Sequence, residues 1–411
     1  MNEMRDITCL EENLFIKTNL LVEGCDIEGS IALPRNFQEK KIHLYAHSTF
    51  KNDTPIPDDI ILPHKTTPFI SRIRLNKNAS LKLSSQGDKY FLLHESGAHI
   101  PVEFVPRFDT SNLPINESNT LSEVCSFLGN DLIGVVPSNY CFYFKNSNEC
   151  RFCEIWPTYR KEVDYLKPIK TAEVIKKSVS LALEQEPRVK YLAITSGNVK
   201  SYDFTAKLFV KIGRSLKEMF SFNRLHEVLA TLMPPDDLNL IKEIKDSGIN
   251  KIYFPLEVFE KELFKIICPG KYTYGYDKLI DALEFAVDVF GVGNVYTNFV
   301  YGIQSLSPSL NANSYQPELE NERSLVAVEK MLERKIIPVF TIYHYSGYNS
   351  IGNIRLSAEH TFHFFKEMGE KIFNSGLIPE NSSSIIFSTS SLSNTAYNES
   401  FLLAKLKGGQ L

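Results

Sequence analysis

Between about residue 120 and residue 375, short apolar runs alternate with stretches long enough for several helical turns, and this alternation constrains the fold more than any other feature of the chain. The strand-like runs are Asp131–Pro137, Val189–Thr195, Glu227–Met233, Lys251–Val258, Asn294–Ile303 and Ile336–Tyr343. The helix-like stretches are Thr171–Glu184, opened by a Thr cap in TAEV, then Asp203–Met219, Asp236–Asp246, Tyr276–Val289, Glu322–Lys335 and Ala358–Asn374. Two strands separated by such a helix pair in parallel through a right-handed crossover. About six βα units result, giving an α/β fold that is either an open doubly wound sheet or most of a barrel. In both, chemistry sits at the C-terminal ends of the strands, so the polar residues just after each strand are the functional candidates.

The first 120 residues read differently. Short β-prone runs (Ser30–Leu33, Lys41–Tyr45, Ile70–Leu75, Ser80–Leu83, Lys89–Leu93) alternate with turn-rich pieces such as Lys51–Asp59 and Asn112–Ser118. A β-rich accessory domain over residues 1–120 is expected, joined through Pro106, Pro114 and the polar string Asn116–Asn119 to the βα array over 121–380, with a C-terminal extension over 381–411. The 411 residues are 43% hydrophobic and 23% charged, which excludes a disordered chain. A net charge of −4 offers no field to attract nucleic acid or an anionic bilayer. No apolar run reaches the roughly 18 residues of a membrane span, and the acidic start MNEMRDITCLEENLF is unlike a signal peptide. A soluble, cytoplasmic protein is expected, binding neither nucleic acid nor membrane.

Cysteines stand at 9, 25, 125, 141, 150, 153 and 268, an odd count in a chain with no export signal. Structural disulfides are disfavoured in a reducing compartment. Cys141, Cys150 and Cys153 cluster in NYCFYFKNSNECRFCEIW, spaced C-x8-C-x2-C, in the loop after the first strand of the array. Clustering of this kind in an intracellular protein points to metal or redox chemistry. A tetrahedral zinc site would need a distant fourth ligand, with Cys268 or Cys125 as candidates. An electron-transfer iron–sulfur cluster takes four cysteines, whereas three thiolates on a four-iron cluster leave one iron open to a small molecule.

A three-cysteine loop after the first strand of a βα array, with the aromatic Phe152 just before the last cysteine, resembles the radical S-adenosylmethionine (radical SAM) superfamily. The usual spacing there is C-x3-C-x2-C, and this chain carries five more residues between the first two cysteines. The segment LAITSGNVK, with Ser196, Gly197 and Asn198, stands where the family carries a Gly-rich turn for the amino group of the methionine moiety. The fourth strand and the residues after it, KIYFPLEVFEKELFKIICPGKYTYG, resemble the biotin-synthase-like branch. That resemblance implies Glu257 as the ribose-binding carboxylate and Lys271 as the cation for the methionine carboxylate. A carboxylate accepts both hydroxyl protons of a ribose diol, and Lys supplies a point charge. Gly302, at the end of VYTNFVYGI, falls where a strand end lies beneath the adenine. The resemblance covers roughly residues 130 to 375, leaves the first 120 outside it, and implies a partial (β/α)6 TIM-type barrel.

The resemblance further implies a [4Fe-4S] cluster on Cys141, Cys150 and Cys153, with S-adenosylmethionine bound through Phe152, Ser196, Gly197, Asn198, Glu257, Lys271 and Gly302. An external one-electron donor such as flavodoxin or ferredoxin would reduce the cluster, and reductive cleavage of S-adenosylmethionine would start radical chemistry. No CxxC pair or cysteine-rich tail follows residue 270, which argues against a peptide-modifying subgroup and leaves a small-molecule biosynthetic substrate. His344 and Tyr345, in TIYHYSGYN after the sixth strand, are the catalytic candidates on the substrate side. His226 with Glu227, Met233, Tyr301 and Tyr343 are secondary candidates. The N-terminal domain could close the barrel, bind substrate or make a homodimer. The competing readings are a zinc-stabilised binding or scaffold protein without catalysis and an electron-transfer iron–sulfur protein.

Overall fold

The computed structural model describes residues 2–29, 31, 59–64, 69–95, 97–105, 113–117, 119–129, 131–157, 169–219, 223–345, 347–378 and 395–408. The chain opens with helix α1 (Asn2–Val22), which the sequence reading did not anticipate in a segment expected to be β-rich. Leu10, Leu14 and Leu21 recur at helical spacing and are buried. Lys17 lies on the same face, and its charge is met by a 2.6 Å ion pair with Glu399.

Six strands follow: β1 (Asp26–Ile27), β2 (Asp59–Leu62), β3 (Phe69–Arg72), β4 (Leu81–Gln86), β5 (Lys89–His94) and β6 (His99–Phe104). They form one sheet in the order β1-β4-β5-β6-β2-β3, antiparallel apart from the β1–β4 pair. The runs Ile70–Leu75, Ser80–Leu83 and Lys89–Leu93 thus coincide with strands. Lys41–Tyr45 lies outside the described residues, as does Ser30–Leu33 apart from Ile31. The polar stretch around Pro114 is a small hairpin of β7 (Pro114–Asn116) and β8 (Asn119–Thr120), leading into α2 (Leu121–Val124).

The second sheet positions the site. Its strands are β9 (Cys125–Leu128), β10 (Leu132–Val135), β11 (Tyr191–Thr195), β12 (Glu227–Thr231), β13 (Lys251–Tyr253), β14 (Val295–Tyr301) and β15 (Ile337–Ile342). β10 to β15 are all parallel and lie in chain order, and β9 adds an antiparallel edge to β10. A doubly wound sheet reverses its strand order at a switch point. An unreversed order with right-handed crossovers puts every helix on one side, so the sheet curls into a partial barrel of six βα units. Among the described residues β9 and β15 do not pair, and the barrel stays open.

The crossover helices are α3 (Ala172–Gln185), α4 (Tyr202–Lys217), α5 (Asn239–Asp246), α6 (Lys261–Ile267), α7 (Pro269–Tyr274), α8 (Tyr276–Phe290), α9 (Pro317–Glu333) and α10 (Ala358–Asn374), with α11 (Tyr397–Gly408) at the C-terminus. Thr171, Ser201 and Ser357 cap α3, α4 and α10 by accepting from backbone N–H groups in the first turn. α9 starts five residues ahead of the expected Glu322 because Pro317 suits a first helical position, where no N–H is needed. α6 and α7 were not expected; they are short, and only Leu263, Phe264 and Ile267 betray the first of them. No helix among the described residues is long and apolar enough to cross a membrane.

Candidate functional site

A cavity of about 300 Å³ opens at the C-terminal ends of the parallel strands. Strand alternation decides what lines it. Side chains two apart share a face, so Leu229 and Thr231, Asn298 and Val300, and Val339 and Thr341 all point inward. Cys141, Cys150, Phe152, Cys153, Ser196, Gly197, Asn198, Glu257, Lys271 and His344 line the same cavity. Residues spread over 204 positions of sequence are therefore brought to one chamber. Tyr345 and Gly302 are not among its lining residues.

The cysteine loop leaves β10 and makes a 3-10 turn over Phe142–Asn146. It is stitched to the β11 loop by Phe142 N–H donating to Asn198 O at 2.9 Å and Gly197 N–H donating to Ser138 O at 2.9 Å. A Cβ on Gly197 would meet Tyr140 O at 2.4 Å, so only glycine allows this approach. On its other side, Arg151 N–H donates to Ile267 O at 2.8 Å, and Gly270 N–H donates to Asn148 O at 2.9 Å. The loop after β15 is joined to the cysteine loop, where Ser350 N–H reaches Arg151 O at 3.0 Å and the Asn349 amide donates to Glu154 at 2.7 Å.

Glu257 is aimed into the chamber by an interruption of its strand. Pro255 has no N–H for the ladder, which stops at Tyr253 and resumes at Glu257 as an isolated bridge to Phe299. Glu257 takes a left-handed φ of 71°, unusual for a residue with a Cβ. Its backbone is held there by Glu257 N–H donating to Asn298 O at 2.6 Å and by Val300 N–H and the Gln304 amide donating to its carbonyl at 3.0 and 2.9 Å. Its carboxylate accepts from Lys271 Nζ at 2.8 Å and from Asn298 Nδ2 at 2.7 Å. Lys271 also donates to Pro255 O at 2.6 Å. Burial alone would lower the Lys271 ammonium, but the Glu257 charge and the Cys150 and Cys268 sulfurs outweigh it and hold it above its usual value.

The cysteines differ. Burial pushes the Cys141 thiol up to about 11 and that of Cys153 well above the ordinary range. Cys150 is drawn below it by a hydrogen bond with Cys268, with Lys271 adding to the effect. Cys268 thus sits beside Cys150, whereas Cys125 pairs with Val135 in the β9–β10 ladder. No group of three His, Cys, Asp or Glu among the described residues is gathered tightly enough to hold a single metal ion. The three thiols share a wall of one chamber, and the irons of a [4Fe-4S] cluster, standing at separate corners, accept such an arrangement. Asn198 is buried, and among the described residues its Oδ1 has no hydrogen-bond partner. Such a buried orphan acceptor is costly and fits the ammonium of a bound amino acid.

Other expected residues fall elsewhere. The Gly302 amide donates to the buried Glu320 at 2.6 Å, so the backbone group expected beneath the adenine is already engaged. His226 and Glu227 stand at the N-terminal end of β12, opposite the chamber, and Glu227 pairs with Lys251 at 3.1 Å. Tyr301 is fully buried and stacks on Phe364. Met233 and Tyr343 do line the chamber. The reading missed Asn298, Tyr253 and Thr341, and the inward alternation of β14 and β15 was the signal that could have found the first and last.

The sequence model of the Radical SAM superfamily matches residues 135–306, from the end of β10 to just past β14. Bacteriochlorophyllide c C-7(1)-hydroxylase of Chlorobaculum limnaeum is 32% identical over 186 residues, covering 42% of this chain and 46% of that protein. The chain thus spans just under half the length of this curated relative. Among solved structures, the [FeFe]-hydrogenase maturase HydG aligns with a TM-score of 0.44 at 18% identity, covering 61% of this chain and 51% of that one. Methylornithine synthase (PylB) aligns with a TM-score of 0.40 at 15% identity, covering 62% and 74%. Over residues 135–306 the chain is thus similar to the Radical SAM superfamily, whose members use a [4Fe-4S] cluster and S-adenosylmethionine.

Proposed function

We propose that this chain is a radical SAM enzyme in which Cys141, Cys150 and Cys153 hold the cluster and the chamber binds S-adenosylmethionine beside a small-molecule substrate. The observation that carries the reading is the convergence of the three cysteines, the orphan acceptor of Asn198 and the Glu257–Lys271 pair on one cavity. Bound there, a [4Fe-4S] cluster supplies the single electron that cleaves the sulfonium of S-adenosylmethionine, after reduction by an external one-electron donor.

The protein's own groups bind and orient. Asn198 Oδ1 accepts from the methionine ammonium, beside the Ser196–Gly197 backbone. Lys271 uses two of its three N–H donors on Glu257 and Pro255 and turns the third to the methionine carboxylate. Each Glu257 oxygen accepts one protein hydrogen bond, leaving lone pairs for the ribose hydroxyls. Phe152, Met233, Val300 and Val339 make an apolar wall that excludes water from a reactive species. His344 faces the same space as the polar group on the substrate side.

The test is anaerobic reconstitution with iron and sulfide, then dithionite reduction in the presence of S-adenosylmethionine, with 5′-deoxyadenosine as the readout. A brown protein that releases 5′-deoxyadenosine is expected. A colourless protein carrying about one zinc and releasing nothing would return the three cysteines to a structural role.

A further inference from the structure

A side chain that follows the N-terminal sheet contacts a residue of the chamber lining. Two residues beyond β3, Arg74 extends its guanidinium Nη1 to Nδ1 of His344, just past the end of β15. The Arg74 backbone is anchored, its carbonyl accepting from Cys25 N–H at 2.8 Å. A guanidinium offers only donors, so Nδ1 must be the acceptor, and the neutral ring carries its proton on Nε2. His344 lines the chamber, so this tautomer makes the ring a hydrogen-bond donor to whatever binds there.

Among the described residues no carboxylate pairs with Arg74. Burial, with the neighbouring Arg72 adding to it, pushes its guanidinium down to about 10, which leaves it charged at neutral pH. Asp59, on the neighbouring strand β2, is paired with Arg72 at 3.8 Å. The described contact of the Arg74 side chain is the imidazole, which is neutral. A half-buried cation with no anion beside it is suited to a ligand that brings the anion.

We propose that Arg74 and His344 form a subsite for a carboxylate of the substrate, with Arg74 as the positioning residue that fixes His344 as an Nε2–H donor. One guanidinium and one N–H match the single charge of a carboxylate better than a phosphate group, which carries nearly two. The inference deepens the function proposed above and rests on it for the identity of the chamber. It also gives the N-terminal sheet a task, which is to complete the substrate end of the barrel.

The experiment uses the full chain labelled with 15N-histidine, the His344 ring signals being assigned by their loss in His344→Gln. The wild type is expected to show the neutral ring with Nε2 protonated. Benzoate should shift that signal and benzamide should not. In Arg74→Gln the ring should become a mixture of tautomers, and benzoate should bind about tenfold more weakly or worse, because a charge-assisted hydrogen bond is lost. Arg74→Lys, which keeps the charge without the fork, should fall between the two, and the contrast between benzoate and benzamide in the wild type needs no variant. Equal responses to the two probes, unchanged benzoate binding in Arg74→Gln, or a shift produced by S-adenosylmethionine alone would each overturn the subsite. Iron content and 5′-deoxyadenosine release are recorded on the same preparations. A brown, active protein whose His344 ignores benzoate refutes the subsite and leaves the radical function standing. A colourless, inactive protein whose His344 answers benzoate alone keeps the anion site and removes the radical function.

Discussion

Lys271 and Glu257 form an ion pair of 2.8 Å in the wall of the chamber, with side chains only 6% and 11% exposed. The family resemblance had given them separate tasks, one on the methionine carboxylate and one on the ribose. The structure makes them a unit: the Glu257 carboxylate helps to hold the Lys271 ammonium charged, and Asn298 fixes the remaining carboxylate oxygen. This part of the chamber lining is therefore held in place by the protein's own hydrogen bonds, which would lower the ordering cost of binding.

Removing one partner of this pair should cost more than removing both. Lys271→Met leaves a buried carboxylate facing Asn298 alone and should destabilise the protein by about 3–5 kcal/mol. The double variant Lys271→Met with Glu257→Gln should recover part of that loss, as read from urea midpoints. Equal costs for the single and double variants would mean that the pair is not coupled in solution.

Cys150→Ser should abolish cluster loading while the far-UV circular dichroism of the α/β core is retained. The residue lies in a loop whose backbone is tied to Ile267 and Ser350 through Arg151, independently of any metal. Loss of the fold together with the colour would instead show that the metal site is structural.

Gly197→Ala places a methyl group 2.4 Å from Tyr140 O, a contact that the backbone must move to relieve. A loss of about 1–3 kcal/mol is expected from such overpacking. Because Tyr140 precedes Cys141, iron loading of the variant should fall in parallel. Unchanged stability and loading would show that the two loops yield independently.

Glu320 gives a pH dependence that can be signed. It is fully buried, and burial raises its carboxyl from 4.5 to about 7 against the opposing backbone hydrogen bonds from Gly302 and Ser305. The folded state therefore holds a proton that the unfolded state has lost between those two values. Stability contributed by this group is present below about pH 4.5 and is lost as the pH rises to about 7, by about 3 kcal/mol in all. Urea titrations across that window should show this slope, and Glu320→Gln should remove it.

The three cysteines were legible because thiol clustering is rare enough to carry information at short range. Gly197 was legible for a second reason, since a small residue in a βα turn marks a close approach, and the approach proves to be to Tyr140. His344 was legible as a polar residue at a strand end. Asn298 was not, because inside VYTNFVY it reads as one polar residue in an apolar strand, and only the inward face of β14 gives it Glu257 as a partner. His226 looked equivalent to His344, yet it begins a strand instead of ending one, and the two ends of a barrel differ in function. The helix of the first 22 residues escaped because its acids were weighed only against a signal peptide, while the leucines between them carried the helical period.

The sequence by itself determined that six strands would run parallel with helices between them, because hydrophobic period and crossover length are local properties of the chain. It also determined that three thiols would stand after the first of these strands. Only the tertiary structure decided that the strands keep chain order and curl into an open barrel, since both α/β architectures satisfy the same local pattern. It likewise decided that Glu257 faces Lys271, and that Arg74 from the first sheet meets His344, 270 positions later, at the end of the last strand. Contacts of that kind depend on which surfaces meet when two sheets and their helices bury their apolar faces, and no local rule of the chain records them.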